Sequence, residues 1–216
     1  MSRTRVRINR RRKRGLTAVR IDAMTAPSPP TYFPAPRRAR FCSQCGAPIQ
    51  RRVPDGDNRE RDVCDQCGAI HYQNPRMVVG TVPVWEGRIL LCRRAIEPRY
   101  DTWTLPAGFM ELNESTAQGA ARETLEESGA NIELGPLFTI IDVPQIEQVH
   151  LFYLAQALGP ELDPGPESLE ARWYDEAEIP WDDLAFRTVA TTLRHYFEDR
   201  KQGVFVPHHY TLESHR

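Results

Sequence analysis

The stretch GFMELNESTAQGAARETLEESGA, residues 108–130, carries the most informative pattern of this chain. Residues 113–116, Asn-Glu-Ser-Thr, are typical of a helix start, and an acid there suits the positive end of a helix. Glu123, Glu126 and Glu127 then recur at positions i, i+3 and i+4, which places three carboxylates on one helix face. Small and apolar residues line much of another face, at positions 117, 121, 125 and 128. The sequence therefore predicts a helix over residues 115–128.

Three acids on one face are in most proteins a solvated surface. Here the loop Leu105-Pro106-Ala107-Gly108 comes shortly before the helix, and Arg122 lies within the acidic cluster. Carboxylates that converge beside a loop carbonyl are the hard oxygen ligands that Mg²⁺ or Mn²⁺ prefers, with waters and a substrate phosphate completing the shell. The residues therefore favour a divalent metal site over a bare acidic surface.

The same stretch fits the pattern G-x5-E-x7-R-E-U-x-E-E-x-G-U, where U is a large aliphatic residue. Thr124 and Ala130 stand at the two U positions, where a larger aliphatic side chain is usual. The motif resembles the Nudix box, which is the signature of Nudix hydrolases. The fixed positions are Gly108, Glu114, Arg122, Glu123, Glu126, Glu127 and Gly129.

Two cysteine pairs precede the box. Cys42-x2-Cys45 and Cys64-x2-Cys67 are separated by eighteen residues, and a glycine follows each pair at positions 46 and 68. This spacing is typical of a zinc ribbon, in which four thiolates close the metal shell and leave no place for substrate. Two disulfides or a redox pair are the less favoured alternatives, since no secretory signal accompanies the cysteines. We expect a structural Zn²⁺, and we expect Cys92 to be a small buried side chain.

Composition and hydrophobic pattern together divide the chain into four segments. Residues 1–40 are basic and rich in proline, residues 41–73 hold the ribbon, residues 74–198 form the main domain, and residues 199–216 are a polar tail that we expect to be loose. A hairpin is predicted around Glu86-Gly87, with further strands at 137–141, 150–154 and 171–174 and a second helix at 184–199. Short strands with two long helices predict an α+β domain. The resemblance refines this expectation to an α/β/α Nudix sandwich with a mixed sheet, preceded by a small zinc ribbon.

The resemblance extends over about residues 41–198, where the ribbon, the box and the segment Glu170-Ala171-Arg172-Trp173 look like zinc-ribbon Nudix hydrolases of the FAD/ADP-ribose pyrophosphatase type. It implies hydrolysis of FAD to FMN and AMP, or of ADP-ribose to AMP and ribose 5-phosphate. The NAD(H)-cleaving branch carries a SQPWPF-type segment, whereas residues 142–147 here read DVPQIE. A homodimer is a further expectation from this resemblance. A cytoplasmic location is expected because nothing in the sequence marks the chain for secretion.

The resemblance also implies roles for individual residues. The metal ligands carry over to the Ala107 carbonyl, Glu123, Glu127 and Glu170, with Glu126 in or beside the shell. Glu126 is the expected general base, with Glu170 and Glu147 as competitors. Arg122 is expected to orient the glutamates by charge-assisted hydrogen bonds.

Substrate contacts are less well specified by the sequence. The candidates are Arg93, Arg94 and Arg99, which could grip a diphosphate, together with Gly108 and Tyr153. Tyr153, Trp103, Phe109 and Trp173 could stack on an adenine or flavin ring, although strand aromatics more often belong to a core. His150 could act as a base, but a hydrogen-bonded strand histidine is the ordinary interpretation.

Composition excludes a membrane protein and shows an uneven charge. The 216 residues carry a formal net charge of −1 and 40% hydrophobic residues, with no apolar run near the roughly 18 residues of a membrane span. Residues 1–40 carry twelve Arg/Lys and one acid, Asp22. Such an arm can bind RNA, but a dispensable leader, or a translation start at Met24, is the favoured interpretation.

Three functional hypotheses follow. The first is a metal-dependent pyrophosphatase acting on a small dinucleotide such as FAD or ADP-ribose. The second is cleavage of NAD(H) or of a NAD-capped RNA, for which the ribbon and the basic arm would hold RNA. The third is a zinc-ribbon module that binds nucleic acid or regulates, on an inactive Nudix scaffold; the complete set of acids argues against it. A nucleic-acid partner is therefore the less favoured expectation.

Overall fold

A computed structural model describes residues 38–213 of the chain. The predicted basic leader therefore lies outside the described residues, except for its last three positions. The ribbon comes first and is built from three short antiparallel strands in the order β1-β2-β3: β1 Ile49–Arg52, β2 Arg61–Cys64 and β3 Ile70–His71. It buries few side chains, Val63 and Cys64 among them, so packing alone contributes little to its stability.

The main domain contains an eight-stranded sheet and two helices. Its elements are β4 Arg76–Trp85, β5 Arg88–Arg94, β6 Trp103–Thr104, β7 Ala107–Phe109, α1 Thr116–Ser128, β8 Ile132–Val143, β9 Gln148–Ala157, β10 Ser168–Tyr174, α2 Arg187–Gln202 and β11 His208–Thr211. The strand order is β10-β5-β4-β9-β8-β11, with β6 paired to β5 and β7 paired to β4. The β4–β9 and β8–β11 pairs are parallel and the others antiparallel, so the sheet is mixed, as expected.

The two helices cover opposite faces of this sheet. Leu151 and Phe152 are neighbours on β9 and therefore point to opposite faces. Phe152 belongs to the larger core with Leu193 and Phe197 of α2, whereas Leu151 packs with Ala120 of α1. This arrangement confirms the predicted α/β/α sandwich preceded by a ribbon.

Helix α1 begins and ends where its sequence indicates. The Ser115 side chain accepts a hydrogen bond from the Gln118 backbone N–H, and the Gln118 side chain accepts one from the Ser115 N–H, which completes a capping box. Gly129 ends the helix in the left-handed conformation with φ of 69°. Helix α2 runs from Arg187 to Gln202 and is therefore shifted by three residues towards the C-terminus from the predicted 184–199 segment, since Phe186 is still extended and Gly203 closes the helix.

Thr124, which departs from the usual aliphatic residue of the box, has polar partners at its buried position. Its hydroxyl donates to the Ala120 carbonyl at 2.8 Å and lies 2.6 Å from the Thr81 hydroxyl of β4. Both threonines are fully buried. This pair of hydroxyls therefore joins α1 to β4 at a position where the box usually has a larger aliphatic side chain.

Replacing Thr124 by Val is expected to lower the free energy of unfolding by about 1–3 kcal/mol, because the buried Thr81 hydroxyl loses its partner. The double variant Thr81→Val/Thr124→Val removes both hydroxyls and should recover most of that loss. Urea unfolding of the three proteins measures the coupling. Additive losses in the double variant would contradict the pairing.

The expectation of a loose tail from Lys201 onward is wrong for the described residues. Helix α2 continues to Gln202, and β11 then pairs in parallel with β8, with His208 opposite Thr139. Asp199 is buried and accepts hydrogen bonds from the Val206 N–H and from His208 Nε2 at 2.9 Å. Asp199 and His208 thus tie this segment to the fold, although most of its other side chains are exposed. No helix among the described residues is long and apolar enough to cross a membrane.

Candidate active site and metal centre

The four ribbon cysteines converge as predicted. Their sulfur atoms all lie within 4.8 Å of one another, with Cys42 Sγ 3.6 Å from Cys67 Sγ and Cys45 Sγ 3.5 Å from Cys64 Sγ. A tetrahedral zinc with bonds of about 2.3 Å separates its sulfur ligands by about 3.8 Å. The donor set and its spacing therefore fit Zn²⁺, with no position left open for substrate.

Two equivalent turns build this centre. In each turn, the carbonyl of the first cysteine accepts a hydrogen bond from the N–H of the glycine that follows the pair. The N–H of the same cysteine donates to the carbonyl of the alanine after that glycine, Ala47 or Ala69. Gly46 and Gly68 have φ of 75° and 73°, a conformation that favours glycine. His71 Nε2 lies 3.3 Å from Cys42 Sγ, so the imidazole can donate to the sulfur without being a fifth ligand. Cys92 is buried in β5, away from the cluster.

The Nudix-type box packs its helix against the loop that contains Ala107. The Ala107 backbone N–H donates to Glu127 Oε2 at 3.0 Å, which fixes the carboxylate beside β7. A Cβ on Gly108 would collide with the Glu123 carboxylate, and one on Gly80 would collide with Ala107. Glycine at these two positions is what allows the loop, β4 and the acidic face of α1 to approach each other.

Arg122 holds three of the four box glutamates. It donates to both oxygens of Glu114, at 2.8 and 3.0 Å, to Glu123 Oε1 at 2.7 Å and to Glu126 Oε2 at 2.9 Å. Arg122 therefore contacts Glu114, Glu123 and Glu126, whereas Glu127 accepts a hydrogen bond from the Ala107 N–H. The Glu114 pKa falls to about 2, mainly because of its hydrogen bonds from Arg122.

Glu127 is the most deeply buried of these acids. Its relative exposure is 7%, and burial raises its pKa to about 8, although the Ala107 N–H acts in the opposite direction. Burial also raises the pKa of Glu123, whose bond from Arg122 partly offsets the effect. Without a bound cation, Glu127 therefore carries a proton near neutral pH.

This raised pKa predicts a pH-dependent stability. Glu127 titrates near 4.5 in the unfolded chain and near 8 in the folded one, so its contribution is fully present below pH 4.5 and is lost as pH rises through about 8. Relative to Glu127→Gln, the zinc-loaded protein without added Mg²⁺ should lose up to about 3 kcal/mol between pH 5 and 7.5. Urea unfolding at both pH values measures this. Parallel curves for the two proteins would contradict the shift.

The box fits a hard divalent cation. Four box glutamates against Arg122 leave an excess of negative charge at the site. Within residues 38–213, the hydrogen-bond partner of the buried Glu127 carboxylate is the Ala107 N–H. Among residues 38–213, the cysteines form the only group of three or more metal-ligating side chains whose ligand atoms lie within 4.8 Å of one another. The carboxylates are thus more widely spread, which suits Mg²⁺, since it uses one or two carboxylates and completes its shell with water and substrate oxygens.

The structure distinguishes two acids in the segment before β10. Glu170 lies opposite Arg93 of β5, with its carboxylate 3.9 Å from the Arg93 guanidinium. Glu167 instead interacts electrostatically with both Glu123 and Glu127, and its carbonyl accepts a bond from the Ala95 N–H. The strand pairing shifts between Ser168 and Glu170, so side-chain direction does not follow simple alternation there. The sequence interpretation singled out Glu170 and not Glu167.

The three candidate arginines lie in different surroundings. Arg94 is buried, donates to the Pro98 carbonyl at 3.0 Å and stacks over Phe186, which is a structural role. Arg93 is half-exposed and pairs with Asp101 at 2.7 Å, so its guanidinium is held near the surface. Arg99 follows both, in the segment between β5 and β6, with φ of 67°.

The aromatic candidates for substrate stacking also lie in different surroundings, some buried and some exposed. Trp103 is buried against Tyr174, and Trp173 donates to the Pro160 carbonyl beside Trp85. Phe109, next to Gly108, is 48% exposed and lies under the Arg76 guanidinium. The Tyr153 hydroxyl is 2.6 Å from that of Thr116.

His150 is buried on β9, and its Nε2 lies 2.9 Å from Gln148 Oε1. Burial lowers the pKa of His150 to about 4. The imidazole is thus neutral and hydrogen-bonded, which agrees with the ordinary interpretation of a strand histidine.

Known proteins similar to this chain agree with this geometry. Residues 40–73 match the family model described as Nudix N-terminal, a zinc ribbon, and residues 74–196 match that of the NUDIX domain. A NUDIX hydrolase from Nitrosomonas europaea, known from its crystal structure, is 47% identical over 81% of this chain and all of its own, with a TM-score of 0.76. An ADP-ribose pyrophosphatase from Streptococcus suis is 21% identical over 63% of this chain and all of its own, with a TM-score of 0.50, and shows similarity of fold only.

Curated relatives are named NAD-capped RNA hydrolase NudC. The protein from Stutzerimonas stutzeri is 33% identical over 146 residues, which are 65% of this chain and 50% of the relative. That from Vibrio atlanticus is 30% identical over 65% of this chain and 51% of its own length. The chain spans about half the length of these relatives. Because the model of the NUDIX domain matches more than half of the chain, the chain belongs to the Nudix hydrolase family.

Proposed function

We propose that this protein is a metal-dependent hydrolase of the pyrophosphate bond in dinucleotides such as FAD and ADP-ribose. The observation that carries the proposal is the buried Glu127 carboxylate, held by the Ala107 N–H beside Glu123 and Arg122. A carboxyl group whose pKa is raised this far by burial is typical of a functional site. Water would add to one phosphorus, giving FMN and AMP from FAD, or ribose 5-phosphate and AMP from ADP-ribose.

The chain's own residues have distinct parts in this proposal. The Ala107 carbonyl, Glu123, Glu127 and Glu167 would hold Mg²⁺ or Mn²⁺, which when bound supplies charge neutralisation and a more acidic water. Glu126, whose side chain is 59% exposed, would accept the proton of the attacking water. Arg93, held by Asp101, would contact the diphosphate.

A second candidate function is hydrolysis of NAD(H) or of a NAD-capped RNA. The observation in its favour is the name shared by the curated relatives, at 33% and 30% identity. Against it stands the segment DVPQIE at residues 142–147, which differs from the SQPWPF-type segment of the NAD(H)-cleaving branch. The two candidate functions would use the same acids, and their substrates differ in the group that is attached to the pyrophosphate.

One chromatographic assay separates the candidates. Purified protein is incubated with FAD, ADP-ribose, NADH and a NAD-capped RNA, each with Mg²⁺ and, separately, with Mn²⁺. AMP release from FAD or ADP-ribose, with kcat/KM at least tenfold above that for NADH and the capped RNA, is the expected result. Preference for NADH or the capped RNA would replace the first candidate by the second.

Glu167 and Glu170 provide a prediction on the metal site. Glu167→Gln is expected to lower kcat, or to raise the Mg²⁺ concentration for half-maximal activity, by about 10–100-fold, because it removes a negative charge that acts on Glu123 and Glu127. The matched variant Glu170→Gln should change these values by less than about fivefold. Mg²⁺ titrations of both variants measure the difference, and the reverse ranking would restore Glu170 as the ligand.

A further inference from the structure

The segment between β9 and β10, residues 158–167, passes against the C-terminal end of the box helix α1. Its Asp163 backbone N–H donates to the Ser128 carbonyl, in the last turn of α1, at 2.8 Å. Its Pro160 carbonyl accepts a bond from the Trp173 indole N–H of β10 at 3.0 Å. The segment is therefore fixed both to the helix that carries the box glutamates and to the edge strand of the sheet.

Two glycines allow the backbones of this segment and of α1 to touch. A Cβ on Gly129, which ends the helix, would collide with the Asp163 backbone, and a Cβ on Gly165 would collide with the Glu126 carbonyl. Both obstacles are backbone atoms, which cannot turn aside as the end of a side chain can. Gly129 also has φ of 69°, whereas the φ of Gly165 lies outside the left-handed region. At Gly165 the close contact alone therefore requires glycine.

The turn that follows Gly165 fixes the backbone of Glu167. The Ser168 N–H donates to the Gly165 carbonyl at 3.0 Å, which closes a four-residue turn. Pro166 takes its first central position, where the fixed φ of proline suits the turn. The Glu167 carbonyl accepts a bond from the Ala95 N–H, just after β5, at 2.8 Å. The backbone of Glu167 is thus held between Gly165 on one side and the end of β5 on the other.

The charge of Glu167 acts on the acids of the box. Burial is the main cause of the raised pKa of Glu123 and of Glu127, and the negative charge of Glu167 adds to it in both. The contact of Gly165 with the Glu126 carbonyl lies in the same stretch of α1. The distance of Glu167 from the box therefore depends on how closely Gly165 approaches the helix.

We propose that Gly165 is a positioning residue of the metal site, whose backbone against the Glu126 carbonyl sets the place of Glu167 beside Glu123 and Glu127. The inference rests on the proposed function, in which Glu167 helps to hold Mg²⁺ or Mn²⁺. A methyl group at position 165 would push the turn away from α1, and misplacements of about 1 Å are enough to impair a site strongly.

Binding of Mn²⁺ to the full-length, zinc-loaded protein, without nucleotide, tests this role. The free ion is measured by electron paramagnetic resonance. Gly165→Ala is expected to weaken binding by about tenfold, as loss of a supporting contact does at other metal sites. The double variant Gly165→Ala/Glu167→Gln should bind within about twofold of Glu167→Gln alone, because no carboxylate is left to position. Losses that multiply in the double variant would show a merely structural effect and would overturn the inference.

The same segment offers a matched control. A Cβ on Gly159 would meet the end of the Glu161 side chain, which can move away. Gly159→Ala should therefore bind Mn²⁺ within about twofold of wild type. The inference is overturned if Gly159→Ala loses as much as Gly165→Ala, or if Gly165→Ala binds Mn²⁺ like wild type.

A second variant decides the matter if thermal unfolding shows that Gly165→Ala does not fold. Pro166→Gly adds no atom at the contact with α1 but loosens the turn. It should weaken Mn²⁺ binding by about threefold in the presence of Glu167 and leave it unchanged in the Glu167→Gln background. Wild-type affinity in Pro166→Gly would overturn the inference.

The box variant Glu127→Gln separates this inference from the proposed function. Mn²⁺ binding that Glu127→Gln abolishes and Glu167→Gln leaves unchanged would overturn the role of Gly165 while the metal-dependent box stands. Mn²⁺ binding by wild type that Glu127→Gln does not weaken would overturn both.

Discussion

Glu127→Gln is expected to lower kcat for the preferred dinucleotide by at least about 1,000-fold while the fold stays intact. The amide removes the negative charge that a divalent cation needs, and its carbonyl oxygen can still accept the Ala107 N–H. A neutral amide at a 7% exposed position also avoids the cost of burying a carboxylate, so stability at pH 7.5 should not fall.

Steady-state kinetics with saturating Mg²⁺, together with thermal unfolding, measure both parts of this prediction. Glu133→Gln, the same substitution at an exposed position of β8, is the control and should retain full activity. Turnover by Glu127→Gln within a few fold of wild type would remove Glu127 from the metal site.

Cys64→Ser is expected to abolish zinc binding and to unfold the ribbon. Cys64 is fully buried, its sulfur lies 3.5 Å from Cys45 Sγ, and the ribbon has few other buried side chains to hold it together. In such small metal sites the binding free energy supplies the folding free energy. Zinc content should fall from about one ion per chain to near zero, and exchange of the β1 and β2 amide hydrogens should become fast.

The fifth cysteine provides the control for this experiment. Cys92→Ala removes a buried thiol of β5 that lies outside the cluster, so zinc content should stay unchanged despite a modest loss of stability. Zinc retained in Cys64→Ser, or lost in Cys92→Ala, would contradict the four-cysteine centre.

The features that could be predicted are those encoded by neighbouring residues. The capping box of Ser115 and Gln118, the spacing of Glu123, Glu126 and Glu127, and the two cysteine turns are all set within a few positions of sequence. Local periodicity and cap chemistry therefore suffice to predict them. The fold class followed from the same signals together with the family resemblance.

The features that could not be predicted depend on contacts between distant residues. The burial of Glu127 arises from its contact with Ala107, twenty residues away, and not from its helix alone. The register shift between Ser168 and Glu170 in the β5–β10 pair is a further feature that no spacing rule shows. Strand β11 is polar and joins the sheet through backbone pairing with β8, so no hydrophobic alternation identifies it.

Metal-dependent cleavage of a dinucleotide pyrophosphate is best tested by AMP release from the purified protein, followed chromatographically with and without Mg²⁺ or Mn²⁺. We expect AMP together with FMN from FAD, or with ribose 5-phosphate from ADP-ribose, when either metal is present and not in its absence. Product formation that is independent of added Mg²⁺ and Mn²⁺, or no cleavage of any dinucleotide pyrophosphate with both metals supplied, would contradict it.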